Sequence, residues 1–212
     1  MLIASETTIA EAWENSLRQL LGSGSWVPTQ RGMRALEIQD LLLCVSSPMQ
    51  EPRISPLYSF SRDFMDAYIE SVRSSFSPGE SIKTRIFEFG DRRIDQAARV
   101  VNSLRRAWYS RRAIVSLWDP VADPLAAHPP CAVIMQFMVR GDSVHLTSVL
   151  RSNDAWLAAL PDMISLTDIQ RGVAQELGCA VGSYTQLSVS FHIYEPDILP
   201  ALQSFGLEAI AT

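Results

Sequence analysis

The sequence predicts an α/β domain. Three observations carry that expectation. Stretches with apolar residues at helical spacing interleave along the chain with short apolar runs of strand type. The chain has 212 residues, 47% hydrophobic and 19% charged, enough to enclose a sizeable core in one domain over residues 1–212. No apolar segment is long enough to span a bilayer, and the start MLIASETTIAEAWENSL lacks the basic residues and apolar run of a leader, so a soluble protein with no membrane partner is expected.

Taken in order, residues Thr8–Leu21 place Ile9, Ala12, Trp13, Leu17, Leu20 and Leu21 on one helical face, with Thr7 or Thr8 as cap and Gly22–Gly24 as the stop. Leu36–Val45 reads as a strand after a polar loop that carries Arg31-Gly32. A proline-marked turn precedes a second helical pattern through Phe60, Phe64, Ala67, Tyr68 and Val72. Ile94–Trp108 is amphipathic through Ile94, Ala97, Val101 and Leu104, and Ala113–Trp118 reads as a buried strand opened by Arg111 and Arg112. Cys131 follows Pro129-Pro130 at the start of an apolar strand, and His192 and Tyr194 share one face of a late strand, VSFHIYEPD.

Charge and cysteine content narrow the function. A formal net charge of -5 argues against a nucleic-acid partner, because phosphate affinity comes from clustered Lys and Arg, so any anion site is local. Cys44, Cys131 and Cys179 are odd in number and widely spaced, which supports neither a disulfide framework nor a zinc site; no metal is expected, and a reducing, cytoplasmic setting is.

From Cys131 to Tyr194 the chain resembles the catalytic half of the thymidylate synthase family. The family's Pro-Cys step, R-S-x-D turn, helix ending in A-Q-x-x-G and late H-x-Y fall here at Pro130-Cys131, Arg151-Ser152-Asn153-Asp154, Ala174-Gln175-Glu176-Leu177-Gly178 and His192-Ile193-Tyr194, without a gap. The segment Ser110-Arg111-Arg112-Ala113-Ile114-Val115-Ser116-Leu117-Trp118 is similar to the family as well. The resemblance implies the thymidylate synthase fold, a mixed sheet packed by helices, with the sheet of one subunit against that of its mate in a homodimer. It implies covalent catalysis on a pyrimidine nucleoside monophosphate, with Cys131 adding to ring C6 and 5,10-methylenetetrahydrofolate as the one-carbon donor.

The roles implied for single residues follow the same register. Arg31, Arg151 and Ser152 match phosphate ligands, and Arg111 and Arg112 match the pair that reaches the phosphate in the neighbouring subunit, where guanidinium forks suit a dianion. His192 and Tyr194 match the sugar ligands, and Asp154 matches the residue that orients the folate. The helix acid that relays protons is best matched by Asp63, one methylene shorter than the family's Glu, with Glu70 as fallback. Ala132 stands where the family often has His, and the family's Trp and Gly stretch after the second helix is not recognisable, so part of the folate wall is built differently. The tail PALQSFGLEAIAT is expected to close over the folate.

Asp162 stands where uridylate-using members carry Asn. Uracil offers an N3–H donor and an O4 acceptor, which an Asn amide complements. Cytosine reverses both, and a carboxylate accepts from its amino group while a shared proton bridges to N3. The resemblance therefore points to a CMP or dCMP 5-hydroxymethylase. Two other functions are compatible with the sequence: C5 methylation of dUMP or a cytidylate, and a non-catalytic member of the fold that binds nucleotide or RNA.

Overall fold

Eight strands form one mixed sheet in the computed structural model, which describes residues 2–73 and 82–207. In chain order the elements are β1 (Leu2–Glu6), α1 (Ile9–Ser23), β2 (Ser25–Pro28), β3 (Arg34–Val45), α2 (Arg62–Arg73), α3 (Ile82–Phe87), α4 (Gln96–Arg106), β4 (Ile114–Ser116), β5 (Ala132–Arg140), β6 (Ser143–Leu150), β7 (Asn153–Asp154), α5 (Ala159–Leu177), β8 (Ala180–Tyr194) and α6 (Glu195–Phe205). The sheet runs β1-β3-β8-β6-β5-β4, with β2 added to β3 and β7 to β8. The β1–β3 and β6–β8 pairs are parallel and the β3–β8, β5–β6 and β4–β5 pairs antiparallel, so the expected mixed α/β architecture is present.

Local chemistry explains the elements that frame the site. At the start of α1, Thr8 and Glu11 form a capping box: the Thr8 hydroxyl accepts from the Glu11 N–H and the Glu11 carboxylate accepts from the Thr8 N–H. The helix stops at Gly24, where a Cβ would lie 2.6 Å from Leu36 and 2.7 Å from the Leu20 carbonyl. Trp13 on the buried face donates its indole N–H to the Ala155 carbonyl at 2.8 Å and stacks on Trp156, tying α1 to the loop before α5. The longest helix, α5, ends at Gly178, whose φ of 68° is the left-handed conformation glycine adopts freely. It packs on β6 and β8, and α1, α2 and α4 pack around it.

Three elements differ in extent from the sequence expectation. Helix α4 is shorter than Ile94–Trp108, because the Asp95 side chain caps it by accepting from the Ala98 N–H and Ile94 is drawn into a bridge with Phe89. Strand β4 is shorter than Ala113–Trp118 because it is a sheet edge paired only along β5. Strand β3 starts two residues early and contains Asp40 at φ 54°, a left-handed backbone inside a strand. Burial changes phase there: Leu36 and Ile38 are buried before it, Leu41, Leu43 and Val45 after it. The paired strand β8 changes with it, from Tyr184, Gln186 and Ser188 to Phe191 and Ile193. Past this break Glu37, Ser190, His192 and Tyr194 project from one face beside the start of β3.

The Val72 side chain and residues 208–212, the end of the tail expected to close over the folate, lie outside the described residues. Away from the site, a buried ion pair pins α3 to the turn after β4. Arg85 donates to both carboxylate oxygens of Asp123 at 2.8 and 2.6 Å and to the Leu117 carbonyl at 2.7 Å. Removing one partner strands the other charge in the interior, so Asp123→Ala is expected to lower unfolding free energy by about 3–5 kcal/mol in urea titration. A loss below about 1 kcal/mol would show that α3 is held by its apolar contacts instead.

Candidate active site

The end of β6, the start of β5, the end of β8 and the first turn of α5 converge at one end of the sheet. Cys131 sits one residue before β5, half-buried, and its carbonyl accepts from the Arg151 N–H at 2.9 Å across the β5–β6 pair. The Arg151 guanidinium closes the turn before the cysteine, donating to the carbonyls of Pro130 at 3.0 Å and Pro129 at 2.9 Å. It also lies over the Trp118 ring at 5.8 Å. Desolvation pushes the Cys131 thiol up to about 11; Asp162 and Asp154 push the same way, while Arg151 and Arg31 oppose them. Arg31 comes from the β2–β3 loop, where Gly32 adopts φ 77°, and its guanidinium stacks 4.8 Å from the Tyr194 ring centre.

Asp162 occupies the first turn of α5 and is 7% exposed. The Tyr68 hydroxyl of α2 donates to Oδ1 at 3.2 Å and the Asn153 amide to Oδ2 at 3.4 Å. Burial raises the Asp162 carboxyl to about 7, against the Tyr68 hydrogen bond, and Asp154 raises it further. Asn153 is itself fixed, its oxygen accepting from the Gln186 amide at 3.1 Å and the Ser188 hydroxyl at 3.3 Å. Gln186 in turn accepts from the Tyr184 hydroxyl at 2.7 Å, and Tyr184 bonds Ser148 at 2.8 Å. A buried hydrogen-bonded chain thus runs from the centre of the sheet to Asp162, every member satisfied by its neighbours.

Next to this chain, Asp154 pairs in β7 with His192 and accepts from the Trp156 and Leu157 N–H groups at 3.1 and 3.0 Å. The His192 and Tyr194 rings meet edge to face at 5.0 Å. Ser190 lies 3.4 Å from His192 Nδ1 and donates to the Glu37 carboxylate. Ser152 is half-buried between Arg151 and Asn153. The half-buried Phe60 and Phe64 stack at 5.0 Å, with Tyr68 6.2 Å beyond Phe64 and Trp156 5.8 Å from Phe60, forming an aromatic shelf beside Asp162.

The structure therefore brings together Cys131, Arg31, Arg151, Ser152, Asp154, Asp162, His192 and Tyr194. It leaves Asp63 apart: that residue is exposed in the first turn of α2, five positions before Tyr68 and so about 140° around the helix from it. Glu70 is also exposed, near Lys83 and Arg171 on the far side of α2. Tyr68 is the α2 side chain that reaches Asp162. Arg111 and Arg112 are exposed at the edge before β4, and the arginines that act on Cys131 are Arg151 and Arg31. Sequence reasoning missed Tyr68, Asn153 and Gln186. A signal for Tyr68 exists, since a tyrosine in an apolar stripe needs a partner for its hydroxyl.

A sequence model of the thymidylate synthase family matches residues 27–205, from β2 to the end of α6. The chain belongs to the thymidylate synthase family. It is 29% identical over 196 residues to a protein of Methanococcoides burtonii named "Putative thymidylate synthase", covering 90% of this chain and 88% of the relative. A Methanosarcina barkeri protein of the same name is 28% identical over 201 residues, covering 92% and 90%. One from Methanocaldococcus jannaschii is 26% identical over 205 residues, covering 92% and 91%. The thymidylate synthase family is one of folate-dependent one-carbon transferases, and the matched span contains every site residue named above. Among the described residues no helix is long and apolar enough to cross a membrane.

Proposed function

We propose that the chain is a pyrimidine nucleotide 5-hydroxymethylase acting on CMP or dCMP. The observation that carries this reading is the buried Asp162 carboxyl, which no Lys or Arg neutralises among the described residues and whose two oxygens face neutral donors. Ionised, it repels the O4 of uracil. Carrying a proton, it donates to cytosine N3 and accepts from the N4 amino group, and burial raises its pKa far enough for the protonated form to be populated near neutrality. A mismatch at such a buried pair costs discrimination on the order of 10⁴.

In this reading Cys131 supplies the nucleophile. Its thiol gives its proton to water, the sulfur bonds to C6 as the C5–C6 π bond shifts toward C5, and the Asp162 proton moves onto N3 to hold the charge that develops on the ring. Arg31, Arg151 and Ser152 hold the phosphate, so one guanidinium both binds the nucleotide and favours the thiolate. His192 and Tyr194 hold the sugar. The Phe60–Phe64 shelf and Asp154 fit methylenetetrahydrofolate: a flat apolar wall and a carboxylate beside it suit a pterin ring with exchangeable N–H groups. That cosubstrate supplies the carbon taken up at C5; the C5 hydrogen then leaves as a proton to solvent, water adds to the exocyclic methylene to complete a hydroxymethyl group, and the Cys131 sulfur is expelled from C6.

A homodimer completes the proposal. The sheet face opposite the helices leaves Ile134, Gln136, Met138, Thr147, Val149 and Leu187 half-buried, a surface fit for a second sheet. Arg111 and Arg112, exposed beyond it, would then serve the mate's phosphate. C5 methylation of dUMP is the second reading, favoured by the names of the archaeal relatives. Separate incubation with CMP, dCMP, UMP and dUMP plus methylenetetrahydrofolate distinguishes them. Hydroxymethylation adds about 30 mass units to a cytidylate without forming dihydrofolate, and methylation adds about 14 with it. Turnover of dUMP alone would overturn the cytidylate assignment.

A further inference from the structure

We propose that Tyr68 is a specificity-determining positioning residue, whose hydroxyl acts on the bound pyrimidine through Asp162. This deepens the function proposed above and rests on Asp162 as the group that reads the base. Nothing in the family resemblance assigns a role to this position. Three structural observations converge on it.

First, Tyr68 is the residue through which α2 enters the site. It follows Phe64 by one turn, and the ladder Phe60–Phe64–Tyr68, with centroids 5.0 and 6.2 Å apart, fixes the direction of the phenol ring. Second, the hydroxyl donates to Oδ1 while Asn153 donates to Oδ2, so donors from two separate elements set the plane of one carboxyl. Asn153 cannot easily rotate, being held by Gln186 and Ser188. A base edge needs that plane fixed, because two parallel hydrogen bonds tolerate little twist. Third, burial and neighbouring negative charge from Asp162, Cys131 and Asp154 drive Tyr68 well above the ordinary phenol range. The residue is therefore held as an O–H donor toward Asp162 near neutrality.

The groups that bear on Asp162 come from every element around it: Tyr68 from α2, Tyr58 from the preceding loop, Cys131 before β5, Asp154 from β7 and Tyr184 from β8. None of these is a cation. Burial makes Asp162 a weaker acid, and the Tyr68 hydrogen bond is the opposing influence. Too weak an acid would keep its proton from N3, and too strong an acid would face N3 ionised. Tyr68 holds Asp162 between these limits.

The test uses the full chain labelled at the aspartate carboxyl carbons with ¹³C, the Asp162 resonance being the one lost in Asp162→Asn. In Tyr68→Phe the Asp162 titration midpoint is expected to rise by about one pH unit, the scale of one hydrogen bond to a charged group. The preference for dCMP over dUMP, read as the ratio of Kd values, is expected to fall about tenfold. Site-specific 3-fluorotyrosine at position 68, a stronger donor of the same shape, is expected to move the midpoint down. That readout remains if Tyr68→Phe folds poorly. A midpoint unmoved by either change, or a base preference unchanged in a Tyr68→Phe protein of wild-type Tm, overturns the proposal. The titration needs no turnover, so a wild-type protein that converts no cytidylate defeats the proposed reaction while the Tyr68–Asp162 pairing is still read.

Discussion

Cys131→Ser is expected to lower nucleotide turnover by a factor of roughly 10³ or more and to leave nucleotide binding within a few fold. The loss follows from the nucleophile itself: a serine hydroxyl is a far weaker acid than the thiol, and desolvation with Asp162 and Asp154 nearby disfavours its anion further. The thiol is already held at about 11 in the free protein, so at pH 7 only roughly one molecule in 10⁴ carries the thiolate. Two influences on it change when substrate binds. In the proposed reaction Asp162 would cease to repel the thiolate when its carboxyl is neutral against cytosine N3, and the phosphate would draw Arg31 and Arg151 onto the same side of the nucleotide. Alkylation of free Cys131 by iodoacetamide should therefore rise about tenfold per pH unit up to pH 10. Stopped-quench turnover and calorimetric binding of dCMP check the variant. Retained turnover in Cys131→Ser would remove covalent catalysis from the reaction and favour the binding-protein alternative.

The second half of the site could be read from the chain because its residues lie at fixed offsets within rigid elements. Arg151 closes the β5–β6 pair that Cys131 opens, and only the four-residue turn 155–158 separates Asp154 from the helix whose first turn carries Asp162. The mixed sheet was an implication of the family resemblance, and apolar or alternating runs marked β3, β4, β5 and β8 in the sequence while β1, β2, β6 and β7 went unread. The break at Asp40 was not legible. In LEIQDLLLCV apolar and polar residues alternate before Asp40 and the residues after it are apolar at successive positions, so the change in the phase of burial shows only with the left-handed backbone at Asp40. The role of α2 was hidden by its own pattern. Phe64 and Tyr68 share an apolar stripe, and a stripe records burial without saying whether a hydroxyl at its end meets water or a carboxyl. The match of Asp63-Phe64-Met65 to an acid before two apolar residues pointed to Asp63, but helical geometry turns that residue to solvent. Arg111 and Arg112 have no assignment within one chain because their expected partner belongs to a second.

Asp162→Asn is expected to reverse the base preference, lowering cytidylate turnover by on the order of 10³–10⁴ and making dUMP the better substrate. The change is nearly isosteric, and the surroundings accommodate it. The new amide oxygen accepts from the Asn153 amide, whose own oxygen is occupied by Gln186 and Ser188, while the new NH₂ meets the Tyr68 hydroxyl, which can turn its proton away and accept. What remains toward the base is an acceptor for uracil N3–H and a donor for O4. Three further readouts follow from the lost carboxyl. The Cys131 thiol loses one of the negative neighbours that hold it up, so its pKa falls and alkylation at pH 8 quickens. Stability changes with pH in a defined direction: a carboxyl held at about 7 in the folded chain against an ordinary value of 3.8 carries no penalty below pH 3.8 and a growing one as pH rises to 7. The stability advantage of Asp162→Asn over the wild type should therefore widen between pH 4 and 7 and level off above it. Wild-type use of dCMP should decline above pH 7, where the carboxyl loses the proton it shares with N3, and use of dUMP by the variant should lack that limb. A variant that keeps its preference for dCMP would place base recognition on another residue and leave Asp162 as a buried member of the Ser148–Asn153 chain.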